Sequence, residues 1–414
     1  MNAPIAAAAT RKADPVGKPW PSPKLDQGLE KTFLNIEDLR QGAKRRLPRG
    51  VFEFIDRGSE DENSLRDNRA SFQRIKLRNR VMVDVSVRST QCELFGKPAS
   101  MPLAIAPTGA AGLAWYEGEL ELAKAAARAG VPFALATPSL TAIERIATVE
   151  EGRKWFQLYM WRDRELSHAL VKRARDAGFE LLVVTGDTPV SPIREYNRRN
   201  GFNSPFNFNA TIVADVATSP RWTWGVLRHY LMNGGMPKQA HYPDDAKGRQ
   251  IRMSGGAEVL RGDDLNWSDI ARLRDIWKGP ILVKGVHRPD DAARAVAEGC
   301  EGIVISNHGG RNLDTAVASL DVLPEIVAEV GGKTAVIVDS GIRRGGDILK
   351  AIALGATAVL SGRPTLYGAA VAGERGAVHA LALLRRELET SMAYTGAATV
   401  SEISPKSLWL PPRA

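Results

Sequence analysis

Eight short apolar, β-branched runs, alternating with helical patterns that often close on a glycine, constrain this chain more than any other feature. The runs are Leu103–Ala106, Phe133–Thr137, Trp155–Met160, Leu181–Thr185, Ile281–Val286, Ile303–Asn307, Ala335–Asp339 and Ala358–Gly362. Helical periodicity lies between them at Glu117–Ala129, Arg164–Ala177, Asp290–Ala297 and Asp347–Leu354, followed by Gly130, Gly178, Gly299 and Gly355. Glycine suits the left-handed conformation that ends a helix. Strands joined through helices are parallel, with right-handed crossovers. Eight such units predict an α/β chain folded as a closed (β/α)8 TIM barrel, with an open doubly wound sheet as the alternative. No Gly-x-Gly-x-x-Gly follows the first run, which argues against a dinucleotide-binding Rossmann domain.

Residues 1–33, rich in Ala, Pro and Lys, read as a disordered N-terminal arm ahead of a single unit over 34–408. Helices are expected over Ile36–Arg46 and from Val51 to Gly58, with Glu60-Asp61-Glu62 as the acidic first turn of a third. Residues 188–279 form a long insertion between the fourth and fifth strands. It contains Pro220-Arg221-Trp222-Thr223-Trp224, Arg228, His229, Tyr230 and Lys238, with no acidic residue from Val216 to Pro243. Basic and aromatic residues interleaved in this way suit peripheral membrane contact through 216–243; a lid or a packed subunit surface is the alternative.

Hydrophobic residues at 44% and charged residues at 25% exclude a disordered or collagen-like chain. The formal charge of +9 comes without any nucleic-acid motif, so no nucleic-acid partner is expected. Cys92 and Cys300 have no metal-ligand or redox spacing, and no metal is expected. The N-terminus lacks the charged start and apolar run of a signal peptide. A cytoplasmic protein is expected, with the inner face of the membrane as the alternative location.

In a barrel, functional groups project from the C-terminal strand ends. Here those ends supply Pro107-Thr108-Gly109, Gln157 and Tyr159, Thr185 with Asp187 and Arg194, Lys284, Ser306 to Arg311 with His308, Asp339 to Gly346, and Gly362-Arg363. Glycine-rich loops after strands seven and eight, with Arg343 and Arg363, are where a barrel binds phosphate. His308, one of six histidines, is placed to act as a base, with Asp187 holding its ring; Asp187 alone would be a turn cap before Pro189. Arg194 and Arg311 together can clamp a carboxylate, whereas separately each reads as a surface ion pair. Lys284, leaving an apolar run, either forms a Schiff base or donates to an electron-rich ring edge.

These strand ends resemble those of the FMN-dependent L-2-hydroxy-acid oxidases and dehydrogenases, a family that includes glycolate oxidase, L-lactate dehydrogenase and mandelate dehydrogenase. The likeness spans about residues 34 to 408, with the mandelate branch nearest through Pro220-Arg221-Trp222 and Arg228-His229. It implies FMN as cofactor and oxidation of a 2-hydroxy acid to a 2-oxo acid. His308 would be the base, Asp187 its partner, and Tyr159 a hydrogen-bond donor to the substrate. Arg194 and Arg311 would bind the carboxylate, and Lys284 would stabilise charge on the reduced ring. Pro107, Thr108, Gly109, Gln157, Thr185 and Ser306 would line the isoalloxazine and ribityl chain; Asp339, Gly341, Arg343, Gly362 and Arg363 would hold the phosphate end. A homotetramer, with oxygen or a quinone as electron acceptor, is also implied.

Three positions depart from the family pattern. Phe54 stands where the family has a tyrosine that donates to the substrate carboxylate, Ala136 where many members have serine, and Gly186 where a branched residue is usual. Gly109 is expected to leave room for a bulky or aromatic hydroxy acid. Phe54 also permits an amino or peptide-derived substrate, or a flavin-storing protein without turnover. A barrel lyase using Lys284 is the remaining alternative.

Overall fold

The computed structural model describes residues 24–202, 209–242 and 262–410. Eight parallel strands close into a barrel: β1 Leu103–Ile105, β2 Phe133–Ala136, β3 Lys154–Leu158, β4 Leu181–Thr185, β5 Ile281–Lys284, β6 Gly302–Ile305, β7 Ala335–Val338 and β8 Ala358–Ser361. Closure is made where Val359, Leu360 and Ser361 of β8 pair with Leu103, Ala104 and Ile105 of β1. Each strand lies within the expected run or starts one residue before it, and most end one or two residues earlier. The apolar pattern continues into the loop, beyond the last ladder bond.

Both faces of every strand are covered, which is why the runs read as continuous rather than alternating. Ala104, Ala134, Trp155, Leu181, Val183, Leu282, Val304, Ile337 and Leu360 fill the interior as one packed cluster. A hairpin pairing Cys92–Leu94 with Lys97–Ala99 adds Leu94 to that cluster, and Phe95 meets Trp155 edge-on at 5.7 Å. The N-terminal end is thus plugged, and only the C-terminal mouth is free for chemistry. Cys300 is buried as a free thiol.

Three helices precede the barrel: α1 Ile36–Arg46, α2 Arg49–Asp56 and α3 Asn63–Arg74. Asn35 caps α1 by accepting from the Asp38 N–H, and Leu47 ends it with extended backbone ahead of Pro48. The acidic trio lies before α3 rather than in its first turn: Glu60 and Glu62 have left-handed backbone, and Glu62 accepts from Arg57 and from the Gly58 N–H. Order also begins earlier than the expected arm allows. Gln27–Glu30 form one helical turn capped by Asp26, which pairs with Arg375, while His379 Nε2 lies 2.8 Å from the Phe33 carbonyl. Residues 1–23 lie outside the described part.

Candidate active site

Strands β3, β4, β5 and β6 deliver four side chains to one point of the mouth. His308 follows β6 with φ +59°, a left-handed conformation that histidine adopts more readily than most residues. Its Nδ1 lies 2.8 Å from Asp187 Oδ1, and its Nε2 lies 3.2 Å from the Tyr159 hydroxyl. With Nδ1–H donating to the carboxylate, Nε2 carries the lone pair, the tautomer of a ring ready to accept a proton. Lys284 donates to Ser306 Oγ at 2.9 Å and to Asp187 Oδ2 at 3.3 Å, with Asp339 Oδ2 at 3.6 Å.

The electrostatics follow from burial and these neighbours. Burial opposes charge on Asp187, but His308 and Lys284 outweigh it and hold the carboxyl well below its usual range. Burial opposes charge on Lys284 as well, and there Asp187 and Asp339 win, keeping the ammonium above the ordinary lysine value. A Schiff-base lysine needs the neutral amine, so this setting works against the lyase alternative. His308 moves the other way: burial, helped by Lys284, pulls its pKa down against the attraction of Asp187.

Next to this cluster, Gln157 donates to Thr185 Oγ1 at 2.9 Å, and both are buried. The two expected phosphate-binding arginines differ. Arg343 is drawn below the ordinary arginine value by burial, and among the described residues its guanidinium donates only to the adjacent Ile342 carbonyl. It is a half-buried cation at the edge of a cleft, with donors left over for an anion. Arg363 instead donates to the carbonyls of Ile55, Gly309 and Arg57, tying α2 to the mouth; burial lowers its pKa to about 10. Gly341, at φ +90°, lies where a Cβ would come within 2.5 Å of the Asn68 carbonyl.

The carboxylate clamp is only partly assembled. Arg194 donates to the Arg311 carbonyl at 3.0 Å, whereas Arg311 bonds the carbonyls of Phe54 and Arg57 and lies 5.0 Å over the Phe54 ring. At Gly109 a Cβ would meet Pro138 Cγ at 2.8 Å, so the glycine also lets its loop pack against Pro138. At Gly186 only the Lys284 carbonyl, at 3.9 Å, approaches a Cβ, and nothing in the structure explains the glycine.

The insertion is likewise less exposed than its composition implies. Trp222 is fully buried and donates to the Leu113 carbonyl at 2.6 Å. Trp224, Leu231 and Met232 are exposed, with Arg228 5.3 Å from the Trp224 ring. Residues 203–208 and 243–261 of the insertion lie outside the described part.

Sequence reasoning missed several contributors. Thr137 Oγ1 donates to the Gln157 carbonyl and accepts from the Tyr159 N–H. Asn68 and Asn307 exchange amide bonds at 2.8 and 2.9 Å behind His308. Asn312 and Thr188 bond to Asp187; their only signal in the sequence was adjacency to Arg311 and Asp187.

A barrel with an acid–base triad at its mouth, and a half-buried cation suited to an anion in the loop after β7, defines a cofactor-using α/β-barrel enzyme. The model for FMN-dependent dehydrogenases matches residues 43–410, and the chain belongs to that family. It is 40% identical to (S)-mandelate dehydrogenase of Pseudomonas putida over 381 residues, 92% of this chain and 95% of that protein. It is 42% identical to an L-lactate oxidase of a Nostoc species, over 91% of this chain and 98% of the relative. The crystal structure of the monotopic membrane protein (S)-mandelate dehydrogenase superposes with a TM-score of 0.86 at 40% identity, covering 92% of this chain and all of the other. The chain is therefore an FMN-dependent oxidoreductase acting on CH–OH groups.

Proposed function

We propose that this protein oxidises an L-2-hydroxy acid with a bulky or aromatic side chain to the 2-oxo acid, using His308 as the base. The observation that carries this reading is the Tyr159–His308–Asp187 chain beside a charged Lys284. Bound FMN supplies the two-electron acceptor. Toward it, Pro107, Thr108, Gln157, Thr185, Ser306 and Lys284 would face the ring, and Asp339, Gly341, Arg343 and Gly362 the ribityl phosphate. Arg363 would join them with the two guanidinium N–H groups that its three carbonyl bonds leave over.

His308 Nε2 takes the substrate proton, and Asp187 stabilises the imidazolium that results. Tyr159, bonded to the same nitrogen, passes its hydrogen bond to the substrate as the proton arrives. Arg194 and Arg311 receive the carboxylate, and the phenyl ring of Phe54 replaces a hydroxyl donor with an apolar wall. A cleft of ≈ 230 Å³ opens next to Tyr159 and Lys284, lined also by Met160, Leu265, Trp267 and Val286 and by Asp263 and Asp291, and offers space near the cluster. Anaerobic mixing with a panel of L-2-hydroxy acids tests the reading: mandelate-like acids should bleach the flavin faster than glycolate. Comparable efficiencies with glycolate and mandelate would contradict it.

Exposed Trp224, Leu231 and Met232, flanked by exposed Arg221 and Arg228, favour a membrane-surface contact for this segment, and so a quinone over oxygen as the final acceptor. No helix among the described residues is long and apolar enough to cross a membrane.

A further inference from the structure

We propose that Asn312 and Thr188 are positioning residues of the proton-transfer relay, holding the Asp187 carboxylate in line with His308. This rests on His308 being the base. Asn312 lies in the loop after β6 and Thr188 in the loop after β4. Asn312 Nδ2 donates to the Asp187 main-chain carbonyl at 2.7 Å and to Thr188 Oγ1 at 2.8 Å. Thr188 Oγ1 in turn donates to Asp187 Oδ1 at 3.0 Å, the oxygen that faces His308 Nδ1 at 2.8 Å. One amide therefore holds Asp187 by its backbone and, through a hydroxyl, by its carboxylate.

A second observation concerns the other end of the amide. Asn312 Oδ1 is buried and accepts no hydrogen bond among the described residues. Burying an unsatisfied acceptor works against folding, and a leucine of similar shape would avoid it. The amide is useful, then, for what its donor side does. The terminal torsion of an aspartate is broad and turns easily unless it is pinned. A carboxylate turned out of line with Nδ1 would no longer offset the burial of His308, leaving the ring a weaker base.

Among the described residues, the charged and titratable groups acting most strongly on His308 are Asp187 and Arg194 from beyond β4, Lys284 from β5 and Tyr159 from beyond β3, with Asp339 one contact further away through Ser306 and Lys284. None of the other three nearest groups can take over the role of Asp187, because Asp187 is the only anion among them.

The test uses FMN-loaded Asn312→Leu, Thr188→Val, the double variant and Asn312→Gln, which keeps an amide donor. The pKa of His308, or its Nδ1–H shift where that pKa falls below the stable range, is read from ring signals of [15N]histidine-labelled protein assigned with His308→Gln. Flavin reduction by mandelate is followed in parallel across pH. Asn312→Leu should lower the His308 pKa, slow reduction about tenfold and move the acid limb to lower pH. The double variant should be no worse than the poorer single, because both act through one chain. Asn312→Gln should recover most of the loss. An unmoved His308 signal and acid limb, a limb moved upward, or additive losses would overturn the proposal. If Asn312→Leu does not fold, Thr188→Val decides alone. If no 2-hydroxy acid bleaches the wild-type flavin, the functional reading fails, while the ring signals still decide the role of Asn312.

Discussion

Asp187→Asn changes almost nothing in shape and removes the one anion that faces both His308, at 2.8 Å, and Lys284, at 3.3 Å. With charge centres about 4 Å apart in a partly screened interior, the imidazolium–carboxylate attraction is worth about 4 kcal/mol. That corresponds to a fall of about three in the imidazole pKa. In the wild-type protein, burial and Lys284 already hold His308 below its ordinary value. A base works when neutral, so the rate declines as pH falls through its pKa. The wild-type acid limb is therefore expected below the ordinary histidine range, and in the variant it should leave the measurable range altogether. Freedom from protonation does not rescue the variant, because a weaker and less well held base takes the proton more slowly. The plateau should drop by about 10²- to 10⁴-fold, the contribution of a positioned general base. The assay is anaerobic stopped-flow bleaching of the flavin at saturating hydroxy acid over a pH series, with FMN content checked by absorbance. A variant with full flavin, a wild-type plateau and an acid limb still in place would refute the assignment of Asp187 and His308.

Other perturbations probe other parts of the molecule. Arg343→Gln should weaken FMN binding about 10- to 100-fold by flavin-fluorescence titration, as expected for one charge-assisted bond to phosphate. Arg363→Gln, which strips donors from three carbonyls, that of Ile55 buried, should also lower the thermal midpoint. Burial pushes the pKa of His241 down to about 4, against its bond to the Thr137 carbonyl. The unfolded chain then binds a proton first, so stability is complete above the ordinary value and falls by about 3 kcal/mol as pH drops from 6.5 toward 4. His241→Gln should shrink that difference in urea midpoints; an unchanged pH dependence would contradict it. Replacing Trp224 and Met232 together by glutamate should release the protein from anionic vesicles in sedimentation while leaving mandelate oxidation with a soluble dye intact.

The barrel was legible because its strands are buried on both faces, and such a strand reads as a nearly continuous apolar run, broken mostly at its ends by buried polar residues such as Thr185 and Lys284. The site was legible for a related reason. His308 and Asp187 are 121 positions apart, yet once eight repeats close into a ring, their strand ends must share one mouth. The same logic brought Tyr159 and Lys284 to them. Periodicity says nothing about elements outside the repeat. Helix α3 belongs to no βα unit, so neither the Asn68–Asn307 pairing nor the carbonyl of Asn68 pressing on Gly341 had any trace in the local pattern.

The remaining misreadings share a physical origin: a residue type states what a side chain can do, and competition among neighbours decides what it does. An arginine after the last strand can hold phosphate, and Arg363 also gives three of its five donors to the carbonyls of Ile55, Arg57 and Gly309. A tryptophan among basic residues can sit at a lipid surface, but Trp222 finds the Leu113 carbonyl beneath it, and burial plus a hydrogen bond outweighs what an interface offers. Trp224, two residues on, remains 65% exposed. The two tryptophans lie within one helical stretch, where residues two apart point to different sides. One face of this segment therefore anchors it to the loop carrying Gly109 while the opposite face meets its surroundings. Anything that binds the outer face pulls on a segment already fastened, through Trp222, to the loop at the end of β1. Removing that tie with Trp222→Phe, which keeps the apolar bulk and deletes the donor, should loosen FMN binding as well as the insertion. Equal FMN affinity in the two proteins would show that the insertion and the flavin loop are mechanically independent.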